Sequence, residues 1–159
     1  MSKLNSNKIL ENCEVVDIAD KGKSVAKSKS GETVFLENAV PGDIVDVIVK
    51  RKKKGTFFGK ILKFNVKSKQ RIKPVCEHFG ICGGCIWQNM NYNSQLYYKE
   101  RRVHENLFRI GKIKPKKILP ILASKKTYYY RNKMEYSFSN TRWLSESEIN
   151  SKKKLKEKL

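Results

Sequence analysis

Acidic residues are scarce in this chain: 15 Asp and Glu stand against 35 Lys and Arg, a formal charge of +20 in 159 residues. That imbalance makes a polyanion the natural partner, and nucleic acid fits it better than a membrane surface. Long apolar runs are missing too. None approaches the roughly 20 residues a membrane-spanning helix needs, and Met1-Ser2-Lys3-Leu4-Asn5 lacks the apolar core of a secretory signal. The expected form is a cytoplasmic monomer without membrane attachment. There, clustered thiols bind metal more often than they form disulfides. No internal repeat is present. The lysine excess has a bland reading beside the functional one, since an AT-rich genome produces the same bias.

What is present begins with β patterning. After a lead-in over 1–11, short strands are predicted at Cys13–Ile18, Lys23–Lys27, Glu32–Leu36, Ile44–Val49 and Phe57–Phe64, with Phe58, Leu62 and Phe64 on one face of the last. Asp20-Lys21-Gly22 reads as a turn. Val40-Pro41-Gly42-Asp43 suits a type II turn, with proline at the second position and glycine at the third. Five short strands within about 60 residues predict a small barrel of the OB type, residues 1–66. Such barrels hold single-stranded nucleic acid on a basic face with exposed aromatics. Lys50, Arg51, Lys52, Lys53 and Lys54 are expected at a hairpin tip, where they reach phosphates or merely keep an edge from pairing. Cys13, alone in a strand, reads as a small buried hydrophobe.

Residues 67–92 follow as a basic connector and cysteine loop. Lys67, Lys69, Arg71 and Lys73 are its candidate phosphate contacts. Its three cysteines, Cys76, Cys82 and Cys85, have five and then two residues between them. Thiols gathered so closely, in a loop softened by Gly80, Gly83 and Gly84, usually hold a metal or cluster. The spacing leaves zinc and iron–sulfur equally open. His78 would complete a Cys₃His zinc site, whereas a [4Fe–4S] cluster takes four thiolates and no cysteine follows Cys85. Trp87 and Tyr92 are expected to wall the site. A helix is predicted over 93–110, capped by Asn93 or Ser94, ended by Gly111, and burying Leu96, Val103, Leu107 and Ile110. A strand is predicted over 127–139, with Arg131 and Lys133 on one face as further RNA candidates, before a basic tail over 151–159.

Cys76-x₅-Cys82-Gly-Gly-Cys85, with His78-Phe79-Gly80 inside it and Gln88 just after, resembles the iron–sulfur motif of the RNA uracil-5-methyltransferases. The order of features is similar to the branch acting on 23S ribosomal RNA, and Tyr130-Arg131-Asn132-Lys133 resembles a strand of that family's central domain. The resemblance implies an α+β chain: an N-terminal TRAM domain, which is a five-stranded OB-like barrel, then a partial α/β central domain over 93–150 with a cysteine-rich loop before it. It implies a [4Fe–4S] cluster on Cys76, Cys82 and Cys85, with the fourth ligand not supplied, and ribosomal RNA as partner.

For the family it further implies S-adenosylmethionine (SAM) chemistry. A cysteine thiolate adds to C6 of an unstacked uracil, C5 takes the methyl group, and a base removes the C5 proton. No glycine-rich SAM loop follows a strand here, so no catalytic or SAM-binding residue is assigned. The expectation is a chain truncated before the SAM-binding domain, inactive alone and acting as the RNA-binding part. A stand-alone RNA-binding module with a structural zinc or iron–sulfur site is the alternative. A ferredoxin-like electron carrier suits the charge and the cysteine count less well.

Overall fold

A computed structural model of the chain describes residues 8–133, 135, 138–140 and 144. Five strands, β1 (Ile9–Ile18), β2 (Ser24–Lys27), β3 (Thr33–Leu36), β4 (Ile44–Lys53) and β5 (Thr56–Val66), close into a barrel in the order β1-β2-β3-β5-β4. All neighbours are antiparallel except β3 and β5, which run parallel through Val34–Phe57 and Phe35–Phe58. This is the expected five-stranded barrel. Alternation along β4 explains its core: Val45, Val47 and Val49 point inward and are buried, joined by Cys13, Val15, Val34 and Leu36. Burying each such side chain stabilises the fold by roughly 1.5–3 kcal/mol.

Several boundaries differ from the sequence expectation. β1 starts at Ile9, inside the supposed lead-in, because Ile9 and Leu10 pair with Ile48 and Val47. A bulge at Asn12 (φ 50) separates that pairing from the rest of the strand, and its amide donates to Asp46 Oδ1 at 2.8 Å. The basic run is not a loop. Lys50–Lys53 belongs to β4, and the chain reverses in two residues, Lys54 (φ 47) and Gly55 (φ 81). Positive φ at both central positions is the geometry of a type I′ hairpin, matched to the strand twist.

Beyond the barrel, residues 67–91 fold against it as a strap. Arg71 bridges to Met90, the Ile72 amide donates to Asn89 O, and the Asn91 amide donates to Gln70 O. Helix α1 (Tyr92–Glu105) follows, capped by Asn91, whose side chain accepts from the Ser94 amide, and continues as a π turn over Asn106–Ile110. Gly111 is right-handed and the positive φ falls on Lys112. A second small core, Ile18, Val40, Met90 and Tyr98 with Trp87 against it, joins strap, helix and barrel.

The helix does not bury its expected stripe. Val103 is 53% and Ile110 74% exposed, while Tyr98 is buried. Polar anchors turn the helix this way: Arg101 pairs with Asp17 at 3.0 Å, Arg102 pairs with Asp20, and Gln95 Nε2 donates to the carbonyls of Trp87 and Met90. The strand expected over 127–139 is absent among the described residues; positions 134, 136 and 137 and the tail 151–159 lie outside them. A strand needs a neighbour for its backbone hydrogen bonds, and no strand among the described residues pairs with 127–133. Residues 113–126 instead run back past α1, with the Ile121 amide on Glu100 and the Ser124 amide on the Tyr92 hydroxyl.

Candidate functional site

Residues of chemical interest fall in three places: the strap, the cysteine loop and the hairpin face of the barrel. In the strap, Lys67, Lys69 and Lys73 are exposed, as a phosphate contact requires. Arg71 is not available in that way. Its Nε and NH2 donate to the two oxygens of Asp43 at 2.7 and 2.6 Å, NH2 also reaches Asn38 O, and the guanidinium lies 4.5 Å over the Phe64 ring. Asp43 is completely buried and also accepts from the amides of Val40 and Ser68. A buried carboxylate demands such partners, so Arg71 is committed to the fold.

The cysteine loop sits on the barrel through Trp87 and Ile86. Trp87 Nε1 donates to Gly22 O at 3.2 Å. Gly22 has φ +69, and a Cβ there would lie 2.4 Å from Ile86 Cγ2, so only glycine allows the loop to seat this closely. Cys76, Cys82 and Cys85 are all exposed. Gln88 ties the loop's ends: its Oε1 accepts from the Cys76 amide at 2.9 Å and its Nε2 donates to Cys85 Sγ at 3.5 Å. The Gly84 amide donates to Cys82 Sγ at 3.4 Å. N–H···S contacts of this kind are also those that surround metal-bound sulfur.

The donor chemistry therefore fits a soft metal or cluster, with Cys76, Cys82 and Cys85 as the residues that would hold it. Among the described residues, no three Cys, His, Asp or Glu side chains converge closely enough to hold an ion as they stand. Cys13 is buried, and burial pushes its thiol above the ordinary range, as befits a core residue.

Arg131 and Lys133 do not share an open strand face. Arg131 donates to Gly84 O at 3.1 Å, tethering its segment to the cysteine loop, and Lys133 pairs with Glu135 at 3.2 Å. Between that segment, α1, the loop and the Lys21–Gly22 turn lies a cavity of about 680 Å³, with Trp87 and Tyr92 in its wall beside Cys85.

On the hairpin, Lys50, Arg51, Lys52, Lys53 and Lys54 are all exposed. Strand pairing divides them. Arg51 pairs with Phe58 and Lys52 with Phe57. Phe57 is buried at the end of the barrel, and Lys52 and Lys8 lie 4.9 and 4.7 Å over its ring. Phe58 points outward, and Arg51 lies 4.3 Å over it. Phe35, its cross-strand neighbour, escaped the sequence reading. The signal was available, because alternation in Thr33-Val34-Phe35-Leu36 places Phe35 opposite the buried Val34 and Leu36.

Two carboxylates on the barrel surface titrate below the ordinary range. Glu32 is held down first by its hydrogen bond from Lys8, and Asp46 by the Asn12 amide and then by Asn65.

Residues 13–62 match the TRAM domain. The chain is 46% identical over 132 residues to an uncharacterized RNA methyltransferase of Bacteroides thetaiotaomicron and 40% identical over 136 residues to one of Porphyromonas gingivalis. It is 32% identical over 133 residues to the 23S rRNA (uracil(1939)-C(5))-methyltransferase RlmD of Xylella fastidiosa. These alignments cover 83%, 86% and 82% of the chain, which spans 29% of the length of each relative.

Proposed function

We propose, from the match of residues 13–62 to the TRAM domain, that this chain is the RNA-binding part of a SAM-dependent 23S rRNA (uracil-5-)-methyltransferase. One observation carries the reading. A basic closed barrel matches TRAM, and the likeness to RNA methyltransferases, 132 aligned residues against the 50 of 13–62, reaches well beyond it. The chemistry agrees. Exposed cations on the strap and hairpin suit phosphates, and a redox-neutral methyl transfer needs no electron carrier.

In this reading Lys50–Lys54, Lys67, Lys69 and Lys73 neutralise phosphates, and the barrel orients the RNA. Cys76, Cys82 and Cys85 would hold a [4Fe–4S] cluster, which would cross-link the loop seated on Gly22. Support for the cluster comes from the donor set and from the amide groups aimed at the Sγ atoms of Cys82 and Cys85. The reading places the protein in the cytoplasm as a monomer. No residue of the chain is assigned to methyl transfer.

Fluorescence anisotropy with a labelled single-stranded segment of ribosomal RNA tests the binding role. Affinity is expected to fall at least about 20-fold between 50 and 200 mM salt, the fall for about three of these cations on phosphates at once, and about 2,000-fold if all engage. An affinity independent of salt would reduce the lysines to compositional bias. Strictly anaerobic purification should give brown protein absorbing near about 400 nm. Colourless protein containing zinc but no iron would replace the cluster with a zinc site. With labelled SAM and ribosomal RNA, the 159 residues are expected to transfer no methyl group.

A further inference from the structure

We propose that Phe35 and Phe58 form a stacking platform for an unpaired RNA base on the outer face of the barrel, flanked by the cations of Arg51 and Lys23. This rests on the RNA-binding reading and names the surface that would carry it.

Strand pairing sets the geometry. Val25 pairs with Phe35, Phe35 with Phe58 and Phe58 with Arg51, so one continuous row crosses β2, β3, β5 and β4. The two rings sit 5.3 Å apart, tilted by 36°. Neither belongs to the barrel core, and both are only half-buried, so aromatic surface remains open to solvent. The strap and helix do not use this row; they pack at Ile18, Val40 and Gly22.

Two phenylalanines side by side on the outside of a strongly basic barrel are costly unless something covers them. The flanking charges select the cover. Arg51 Cζ is 4.3 Å and Lys23 Nζ 5.8 Å from the Phe58 ring centre, and Lys50, Lys52, Lys53 and Lys54 continue from Arg51 along the hairpin. Lys23 also pairs with Glu37 at 3.2 Å, which leaves Arg51, over the Phe58 ring, as the cation that would give its place to a base and turn to the adjoining phosphate. Aromatic surface bordered by guanidinium and ammonium groups suits a base whose phosphates lie alongside, and it excludes a basic peptide.

The test uses the full chain and a fluorescein-labelled, unstructured RNA of about 12 nucleotides, a length one small barrel accommodates. Phe35→Leu and Phe58→Leu keep apolar bulk but remove the rings. Each is expected to weaken binding about tenfold, with the dependence on salt unchanged, because stacking releases no counterions. Arg51→Ala should weaken binding and also reduce the salt slope by about 0.7. An abasic RNA of the same length should bind wild type and Phe58→Leu equally. Thermal melts near wild type for the leucine variants keep a loss of binding from being mistaken for unfolding. Wild-type affinity in both leucine variants overturns the platform and leaves the RNA-binding reading standing. A wild-type chain that binds no RNA overturns both.

Discussion

Asp43 and Arg71 are the residues on which the join between barrel and strap depends. The carboxylate is fully buried and takes four hydrogen bonds, two from backbone amides and two from one guanidinium. Arg71→Met leaves it without a counter-charge and is expected to cost about 3–5 kcal/mol, read as a lower midpoint in urea unfolding. Lys69→Met, on an exposed neighbour, should change stability by less than about 0.5 kcal/mol. Glu32 and Asp46 make the acid prediction. Their folded pKa values lie below the unfolded ones, which are about 4.3 and 3.9. Their contribution is therefore complete above about pH 5 and disappears as pH falls through the folded values. Urea midpoints should fall on acidification below about pH 5, and Asp46→Asn should flatten part of that fall.

At the scale of elements, α1 shows how polar anchoring overrides a hydrophobic pattern. Leu96, Val103, Leu107 and Ile110 form a stripe at helical spacing, yet Gln95 fastens a different face to the strap and Arg101 and Arg102 fasten it to the barrel, with Tyr98 at its centre. Tyr98→Ala is expected to cost about 3 kcal/mol in urea unfolding, and Val103→Ser or Ile110→Ser less than about 0.5 kcal/mol. The cysteine loop depends on one glycine. Gly22→Ala combines an unfavourable φ of +69 with a contact of 2.4 Å to Ile86, so it should loosen the loop from the barrel. Hydrogen exchange of the Trp87 indole N–H, which donates to Gly22 O, would rise while exchange in β4 stays slow.

For the whole molecule, the charge of +20 works in two directions. It attracts polyanions, and it repels itself within a compact barrel. Salt screens both effects. Raising sodium chloride from about 20 to about 200 mM should therefore raise the melting temperature of the free protein while weakening its RNA complex. A melting temperature that falls over this range would show that local ion pairs, such as Lys8–Glu32 and Arg101–Asp17, outweigh the net repulsion.

Local information was enough for the barrel. β-branched runs, the Pro41–Gly42 turn and strand alternation are short-range features, and they determined five strands and the buried Cys13. Partnership was not local. Whether Arg71 meets a phosphate or Asp43, which face of α1 turns inward, and whether residues 127–133 find a neighbour all depend on groups far away in the chain. Only the tertiary structure decided these. A buried charge must be matched by whatever the fold brings beside it, and an extended segment becomes a strand only where the fold brings a backbone partner alongside.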